Sequence, residues 1–381
     1  MTTLSDIKRA YSDLIHLEDD SILDIVYGAV IASQLPGDAI CLYIVGPPSV
    51  GKTEIIRAFL EYPRSHHLSS LTPNTFMSGF SNHKGETSLL LRLSNGGKNI
   101  IFLKDFTSIL TMRAENRAEI ASQVREIIDG YYCRETGGEK NRIEWKGKLS
   151  FIAGVTKAIE RESEVATIMG ERFLLTRIRC NNSQMDCLTK AVETVGREES
   201  YRQRISDLTL DLVTNLPLGH IMTYPEPLLR QVKAAAIFLS NMRCHVPRTY
   251  NGQVDLSYSA EPEGPVRILK QLLQIGRGIG AIHGKLDADQ PLIKLLLTVV
   301  SDSMPSIRWE LISYLWRECG ASGELQTTTI SNYLGKPRQS VFRYLEDMEI
   351  VNLILSRQDV NTTFWRLNPI IIYLLRESGL C

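Results

Sequence analysis

One short stretch constrains the fold more than any other part of the sequence. It reads Gly46-Pro-Pro-Ser-Val-Gly-Lys-Thr53 and matches the pattern G-x-x-x-x-G-K-[ST]. An apolar segment of strand length, residues 39–45, comes before it, and residues 54–60 have the character of a helix. Strand, glycine loop and helix form the context in which this pattern binds phosphate. We therefore predict an α/β domain with a parallel sheet and a phosphate-binding loop (P-loop) at the end of one strand.

The chemistry of this loop predicts a nucleotide as its ligand. Successive backbone N–H groups and the positive end of the following helix attract phosphate oxygens. Lys52 is expected to reach the β- and γ-phosphates, and Thr53 is expected to hold Mg²⁺ through its hydroxyl. The expected cofactors are therefore ATP and Mg²⁺. The nucleotide-binding residues of the loop are Gly46, Pro47, Pro48, Ser49, Val50, Gly51, Lys52 and Thr53. The alternative, a glycine turn before a helix, leaves the lysine unexplained.

Composition bounds the remaining possibilities. A chain of 381 residues is suited to two or three domains, and its formal net charge is zero. Any binding of nucleic acid must therefore come from local basic patches. The seven cysteines are scattered without a C-x-x-C pair, which argues against a zinc site and against a disulfide framework. With no signal peptide and no apolar run approaching the roughly 20 residues of a membrane helix, we expect a cytoplasmic protein with no membrane partner.

A second strand predicts the metal-binding carboxylate. Residues 99–105 are a short apolar run that ends in Asp105, typical of a buried parallel strand whose carboxylate emerges at the carboxyl edge of the sheet. Asp105 therefore fits the Walker B role, in which it holds Mg²⁺ through water. Motor ATPases usually have a water-polarising glutamate next, but here Phe106 follows. Either hydrolysis is slow or another carboxylate serves, and Glu86 is only a weak candidate, so the catalytic base stays unidentified.

A hairpin and a third buried strand follow an amphipathic helix at residues 113–129. Residues 131–134 and 142–148 are β-forming segments around a turn that contains two adjacent glycines, which predicts a β-hairpin. Residues 149–154 then read as a buried strand. Thr156 lies just beyond this strand, where a polar side chain senses the γ-phosphate of a bound nucleotide. A simple strand terminus is the alternative.

Three arginines are candidates for contact with phosphate. Arg172 lies after a helix and before a strand, which suits a finger that completes the ATP site of the next subunit. Arg177 is the second choice for this role, and a surface arginine in an ion pair is the alternative. Residues 181–300 read as mostly helical, with a helix that starts at Pro265 and has Arg267 in its first turn. A cation there is slightly unfavourable, and an anionic γ-phosphate would relieve it.

The last part of the chain predicts a winged helix-turn-helix. A helix at residues 306–319 precedes a short helix at 327–335, a helix from Pro337, and strands at 353–357 and 362–367. The second helix of such a turn enters the major groove of DNA with its N-terminal residues forward. The residues able to reach phosphates or bases are Lys336, Arg338, Gln339, Ser340 and Arg343, with Arg357 and Arg366 on the wing. A protein-docking module is the alternative, since Glu346, Asp347 and Glu349 make the far end of that helix acidic.

Taken together, these motifs resemble those of the AAA+ ATPases over nearly the whole chain. The resemblance implies a P-loop α/β core with a parallel sheet and flanking helices, a helical lid and a C-terminal winged helix-turn-helix. The implied division is N-terminal helices at 1–38, the core at 39–180, the lid with an insertion at 181–303 and the winged helix at 304–381. The implied site residues are Lys52, Thr53 and Asp105 for Mg-ATP, Thr156 as sensor 1, Arg172 as the finger in trans and Arg267 as sensor 2.

The hairpin before the Thr156 strand is similar to the pre-sensor-1 hairpin of one AAA+ branch. That branch includes the minichromosome-maintenance helicases and the Holliday-junction branch-migration motor, and the Gly-Glu-Arg-Phe segment at 170–173 is similar to the finger region of the former. The resemblance implies that Lys140 and Arg142 at the hairpin tip face DNA in a central channel. The chain also resembles uncharacterised AAA+ proteins of mobile elements and phages.

Two functions follow from these expectations. The first is a ring-shaped or helical homo-oligomer that hydrolyses ATP and acts on double-stranded DNA as a motor, helicase or loader, with nucleotide sites shared between subunits. The second is a slow or non-hydrolysing switch that assembles on DNA with ATP and recruits an unknown protein partner in replication, transposition or defence. The hairpin and the finger favour the first function, and Phe106 favours the second.

Overall fold

The structure is a computed structural model that describes residues 2–76, 88–135, 142–160, 172–179, 184–249, 253–254, 260–360 and 362–381. Its contacts divide the chain into two compact units. The first unit comprises Met1–Pro225 and Lys270–Val299, and the second comprises Glu226–Leu269 and Val300–Cys381. Packing therefore groups the helical middle of the chain with both units, and the division into four sequential segments stays a prediction.

A five-stranded parallel sheet forms the centre of the first unit. The strands of this unit are β1 (Cys41–Val45), β2 (Ser65–Leu68), β3 (Ile100–Leu103), β4 (Tyr131–Glu135), β5 (Arg142–Lys146), β6 (Ser150–Val155) and β7 (Leu174–Arg177). The parallel sheet has the order β2-β3-β6-β1-β7. Its three inner strands are buried along their whole length, which is why they read as continuous apolar runs rather than alternating patterns. The predicted α/β architecture is confirmed.

Helices cover both faces of this sheet. In the described part of the chain before residue 225, the helices are α1 (Leu4–Leu14), α2 (Ser21–Gln34), α3 (Lys52–Arg57), α4 (Leu89–Asn95), α5 (Thr107–Leu110), α6 (Ala114–Ile128), α7 (Gln184–Thr194) and α8 (Glu198–Asn215). Thr3 caps α1: its hydroxyl accepts from the Asp6 N–H, and the Asp6 carboxylate accepts from the Thr3 N–H. This reciprocal Thr3–Asp6 pair satisfies two helix-end donors at once.

The strand alternation divides the core into two faces. On one face, Tyr43, Phe106 and Phe173 belong to a buried cluster with residues of α5 and α6. On the other face, the ring of Phe102 in β3 stacks on the ring of Phe59, with centroids 5.0 Å apart. Phe59 in turn contacts Tyr27 of α2, with centroids 4.8 Å apart. The segment after the P-loop thus packs on the face opposite α5 and α6.

The predicted hairpin is confirmed as an antiparallel ladder of β4 and β5. Tyr131 pairs with Lys146 at one end of the ladder, and Glu135 pairs with Arg142 at the other. The buried Trp145 fixes the hairpin to the unit, because its indole N–H donates to the Ser94 hydroxyl at 2.7 Å. Lys140 lies outside the described residues, so the prediction for the hairpin tip stays open.

The second unit contains a three-stranded antiparallel sheet among helices. Its elements are α9 (Glu226–Arg243), α12 (Ser306–Cys319), β8 (Leu325–Gln326), α13 (Thr327–Leu334), α14 (Arg338–Ile350), β9 (Ile354–Asp359), β10 (Thr362–Leu367) and α15 (Pro369–Ser378). Helices α10 (Val266–Ile282) and α11 (Gln290–Asp302) contribute residues to both units. The sheet order is β8-β10-β9, and α15 packs against α9. Within the described part of the chain, no helix is long and apolar enough to span a membrane.

A buried charged cluster joins three helical segments of the first unit. Asp24 of α2 is 5% exposed and accepts hydrogen bonds from the Lys8 ammonium at 2.6 Å and from His283 Nε2 at 2.8 Å. Lys8 also contacts Asp20 at 2.9 Å. Burial raises the pKa of Asp24, but the bonds from His283 and Lys8 outweigh it and hold the pKa below its usual value. The charged carboxylate therefore stabilises the fold.

We predict that Asp24→Asn lowers the free energy of unfolding at pH 7 by roughly 1–3 kcal/mol, because Lys8 then loses a charged partner. Since the folded pKa of Asp24 is depressed, its stabilisation is complete above the unfolded value of about 3.9 and is lost as the pH falls through the folded value. Urea unfolding at several pH values measures this. The gap between variant and wild type should close in acid, and a gap that stays constant would contradict the assignment. Asp20→Asn, at an exposed carboxylate, is the matched control with a smaller effect.

Candidate functional site

Parallel pairing brings the P-loop and three predicted site residues, Asp105, Thr156 and Arg177, to one edge of the sheet. Val45 at the end of β1 is in register with Val155 of β6 on one side and with Arg177 of β7 on the other. The Gly46 N–H donates to the Val155 carbonyl at 3.1 Å, so the P-loop begins directly beside Thr156. Asp105 follows β3, which lies on the other side of β6. Along this edge the order is Asp105, Thr156, P-loop and Arg177.

The P-loop backbone contains two residues with positive φ. Gly51 has φ 97°, which a side chain would strain, and α3 begins at the next residue. Ser49 has φ 64°, in the left-handed region that few residues other than glycine adopt. Such backbone strain persists where the surroundings impose it, often at binding sites. The Lys52 ammonium lies across the loop and donates to the Gly46 carbonyl at 2.7 Å.

The groups at this edge fit Mg²⁺ and phosphate. Lys52 supplies a cation inside the loop. Helix α3 begins at the end of the loop, so the N–H groups of its first turn lie at the loop. The Thr53 hydroxyl and the Asp105 carboxylate are oxygen ligands of the kind Mg²⁺ prefers. The phosphates of a nucleoside triphosphate bound here would lie between the Lys52 ammonium and the metal.

Thr107 joins Asp105 to Thr156, and sequence reasoning did not identify it. The Thr107 N–H donates to Asp105 Oδ1 at 2.9 Å, which fixes the carboxylate. The Thr107 hydroxyl donates to the Thr156 hydroxyl at 3.3 Å and accepts from the Thr156 N–H at 3.1 Å. The signal that was available is the Asp-x-Thr spacing, since an aspartate accepts a bond from the N–H two residues later in an Asx turn.

Phe106 points into the core rather than toward the edge of the sheet that carries the P-loop. Its side chain is 3% exposed, with ring centroids 5.0 Å from Tyr43 and 6.5 Å from Phe173. Its N–H donates to the Gly154 carbonyl at 2.8 Å, which holds the backbone against β6. The position where a catalytic glutamate was expected is therefore a core position. Glu86, the weak alternative for the base, lies outside the described residues.

The first turn of α3 is held by an arginine of α8. Arg202 Nε and Nη2 donate to the two carboxylate oxygens of Glu54 at 3.0 and 2.9 Å. The bonds to Glu54 raise the pKa of Arg202 above its usual value. Because Glu54 follows Thr53 directly, this bidentate pair fixes the helix end that carries the P-loop threonine. A contact across 148 residues leaves no local signal in the sequence.

The two finger candidates lie at opposite ends of β7. Arg172 comes before the strand, at the edge of the sheet where the parallel strands begin. Arg177 is the last residue of the strand and lies at the opposite edge, which carries the P-loop. Arg172 is 6% exposed and binds Asp129 with Nε at 3.2 Å and Nη2 at 2.7 Å. Arg177 pairs with Glu160 at 2.5 Å. Arg172 therefore cannot reach the P-loop of its own chain, and its role as a finger stays a prediction.

Arg267 belongs to the second unit. It lies in the first turn of α10, as expected, and its guanidinium pairs with Glu263 at 2.8 Å. The Glu263 carboxylate near the helix N-terminus offsets the unfavourable position of this cation. The role of Arg267 as sensor 2 stays a prediction.

The predicted DNA-binding residues gather at the start of α14. Lys336, Arg338, Gln339 and Arg343 are exposed and Ser340 is half-buried. Pro337 precedes the first helical residue, so the side chains of the first turn extend from the helix N-terminus. In the described part of the chain, Lys336, Arg338 and Arg343 take part in no ion pair within 4.0 Å. The start of α14 thus presents basic groups together.

The acidic residues at the far end of α14 are engaged within the second unit. Arg248 contacts Glu346 at 2.9 Å and Asp347 at 2.6 Å. Glu349 accepts a hydrogen bond from the Ser356 N–H at 3.0 Å. These carboxylates were the reason to consider protein docking, and their neutralisation weakens it. On the wing, Arg357 pairs with Glu324 at 2.9 Å, and Arg366 is exposed.

Comparison with known proteins adds no family to this description. A search against models of protein families finds no match for the chain, and no curated protein matches its sequence. The function is therefore argued from the geometry above.

We predict that Phe106→Glu fails to supply a catalytic carboxylate. The charge would enter an aromatic core, so the free energy of unfolding should fall by roughly 3–5 kcal/mol with no gain in ATP turnover. Phe106→Leu, which keeps the site apolar, should lose only about 1–2 kcal/mol. Urea unfolding and a phosphate-release assay measure both effects. A glutamate variant that is as stable as the wild type and turns over faster would show that position 106 faces the nucleotide.

Proposed function

We propose that the chain binds Mg-ATP at the P-loop and acts as an ATPase of the AAA+ type. The observation that carries this proposal is the set of bonds that brings the P-loop, Asp105 and Thr156 to one sheet edge. Because β6 lies between β1 and β3, Thr156 is placed between the phosphate loop and the metal carboxylate. A γ-phosphate held by Lys52 and Mg²⁺ would lie within reach of that threonine.

A role for Arg172 as a finger would require nucleotide sites that are shared between copies of the chain. Arg172 and the P-loop belong to opposite edges of one sheet, so contact of this arginine with phosphate requires a second copy. Heterologous contacts of this kind generate rings or helical filaments. In this role Arg172 exchanges Asp129 for the phosphate of the neighbouring site. A homo-oligomer is therefore the proposed active form.

Double-stranded DNA is the proposed partner of the second unit. The order of α12, β8, α13, α14, β9 and β10 is the one expected of a winged helix-turn-helix, with α14 as the helix that enters the major groove. Its exposed Lys336, Arg338 and Arg343 supply positive charge for phosphates. The pairing of Glu346 and Asp347 with Arg248 favours DNA over protein docking.

A second candidate function is an ATP-dependent switch that assembles on DNA and recruits a protein partner. The buried Phe106 favours it, because the usual catalytic glutamate has no place at that position. Both functions require ATP binding, and they differ in turnover. Turnover stimulated by duplex DNA in an oligomer supports the motor, and ATP-dependent assembly with negligible turnover supports the switch.

We predict that Lys52→Ala weakens ATP binding by roughly 10- to 100-fold, because the charged bonds to the phosphates are lost. Titration with a fluorescent ATP analogue measures the dissociation constant. Lys233→Ala, at a partly exposed lysine of α9, removes the same charge and should bind ATP like the wild type. Tight binding by Lys52→Ala would rule out this loop as the nucleotide site.

We predict that Arg338→Ala combined with Arg343→Ala weakens binding to duplex DNA by roughly 10-fold or more at about 0.1 M salt. The slope of log affinity against log salt should decrease by about 2, one for each lost phosphate contact. Fluorescence anisotropy over a salt series gives both quantities. Arg230→Ala with Lys233→Ala removes two cations from α9 as a charge-matched control. If both double variants bind alike, the start of α14 is not the DNA-binding surface.

A further inference from the structure

The turn after β6 ends in a carboxylate, Glu160, that pairs with Arg177 at the edge of the sheet that carries the P-loop. Lys157–Glu160 form a 3₁₀ turn immediately after Thr156, and Glu160 at its end pairs with Arg177 at 2.5 Å. Thr156 follows β6 and Arg177 ends β7, while β1 lies between these two strands. The turn therefore joins the two neighbours of the P-loop strand.

The ion pair places the end of this turn on one face of the sheet. Arg177 is in register with Val45, so both side chains lie on the face of α5 and α6, and Ile159 packs against the core cluster of that face. Glu160 thus binds a side chain whose strand position is beside Val45, the residue that precedes Gly46.

Three other carboxylates that the structure describes near this edge have partners or tasks of their own. Glu54 lies in α3, on the other face of the sheet, and is bound by both nitrogens of Arg202. Asp19 lies in the linker between α1 and α2 and pairs with Arg179 at 3.0 Å. Asp105 is the metal candidate. Glu160 differs because its cation, Arg177, lies next to the P-loop, where a bound triphosphate would compete for it.

We propose that Glu160 is the carboxylate that orients and deprotonates the attacking water, and that Arg177 holds it until a nucleoside triphosphate binds. This inference rests on the proposed ATPase function and fills the role that Phe106 leaves vacant. The triphosphate carries more negative charge than one carboxylate, so it draws Arg177 away from the Glu160 oxygen that is to accept the proton.

The step that Glu160 assists is balanced without any further reactant. The water oxygen bonds to the γ-phosphorus as the bond from that phosphorus to the β,γ-bridging oxygen breaks. The water proton passes to Glu160, which later returns it to solvent. The leaving oxygen departs on the nucleoside diphosphate, where Lys52 would offset its charge together with any Mg²⁺ held by Thr53 and Asp105.

Binding and turnover of ATP by Glu160→Gln test this proposal in the full chain. We expect ATP affinity within about twofold of the wild type and a kcat lower by roughly 10²- to 10⁴-fold. Arg177→Gln should raise KM more than it lowers kcat. Glu193→Gln, which breaks the exposed pair with Lys190 on α7, is the matched control and should behave like the wild type.

The outcomes separate this proposal from the proposed function. A Glu160→Gln variant that turns over within twofold of the wild type, while Lys52→Ala does not, overturns the role of Glu160 and leaves the ATPase standing. A wild-type chain that binds ATP without turnover also overturns it and leaves the switch. A chain that binds no ATP overturns both. If Glu160→Gln fails to fold, Glu160→Asp keeps the charge with a shorter reach, and an unchanged kcat there would count against the proposal.

Discussion

The pairing of β1 between β6 and β7 is the constraint on which the rest of the structure depends. Parallel strands end at the same edge, so this pairing alone brings the P-loop beside Thr156 on one side and Arg177 on the other. The strands are buried on both faces, and that burial requires the helices that the chain places there. The P-loop is therefore held by the core rather than by its own sequence.

Local patterns predicted what depends on near neighbours. The P-loop, the hairpin and the helix Ser306–Cys319 were found at or near their observed bounds, because glycine turns, alternation and helical periodicity act within a few residues. Strand β8 was missed because a strand of two residues shows no alternation. Helix α15 was missed although Pro369 at its start and Gly379 after its end are typical helix boundaries. The Glu54–Arg202 and Arg172–Asp129 pairs could not be predicted, since each joins residues far apart in sequence and is selected by packing.

Phe106 shows how packing changes the meaning of a sequence difference. In the sequence it is a missing glutamate, and the expected consequence is either slow hydrolysis or the use of another carboxylate. In the structure the side chain completes an aromatic cluster with Tyr43 and Phe173, on the face that also carries α5 and α6. The aromatic ring thus stabilises the strand end that precedes Asp105. Under the proposals above, metal binding by Asp105 and water activation by Glu160 therefore fall to different elements.

Strand β7 links the two arginine positions. Among the described strands it lies at the edge of the sheet beside β1, with Arg177 at its end and Arg172 just before its start. The Glu160–Arg177 pair and the Asp129–Arg172 pair therefore hold the two ends of one strand. If a nucleotide displaces Glu160 from Arg177, as proposed, the change falls on the strand whose other end is bound to Asp129, at the edge where contact with a second copy is proposed.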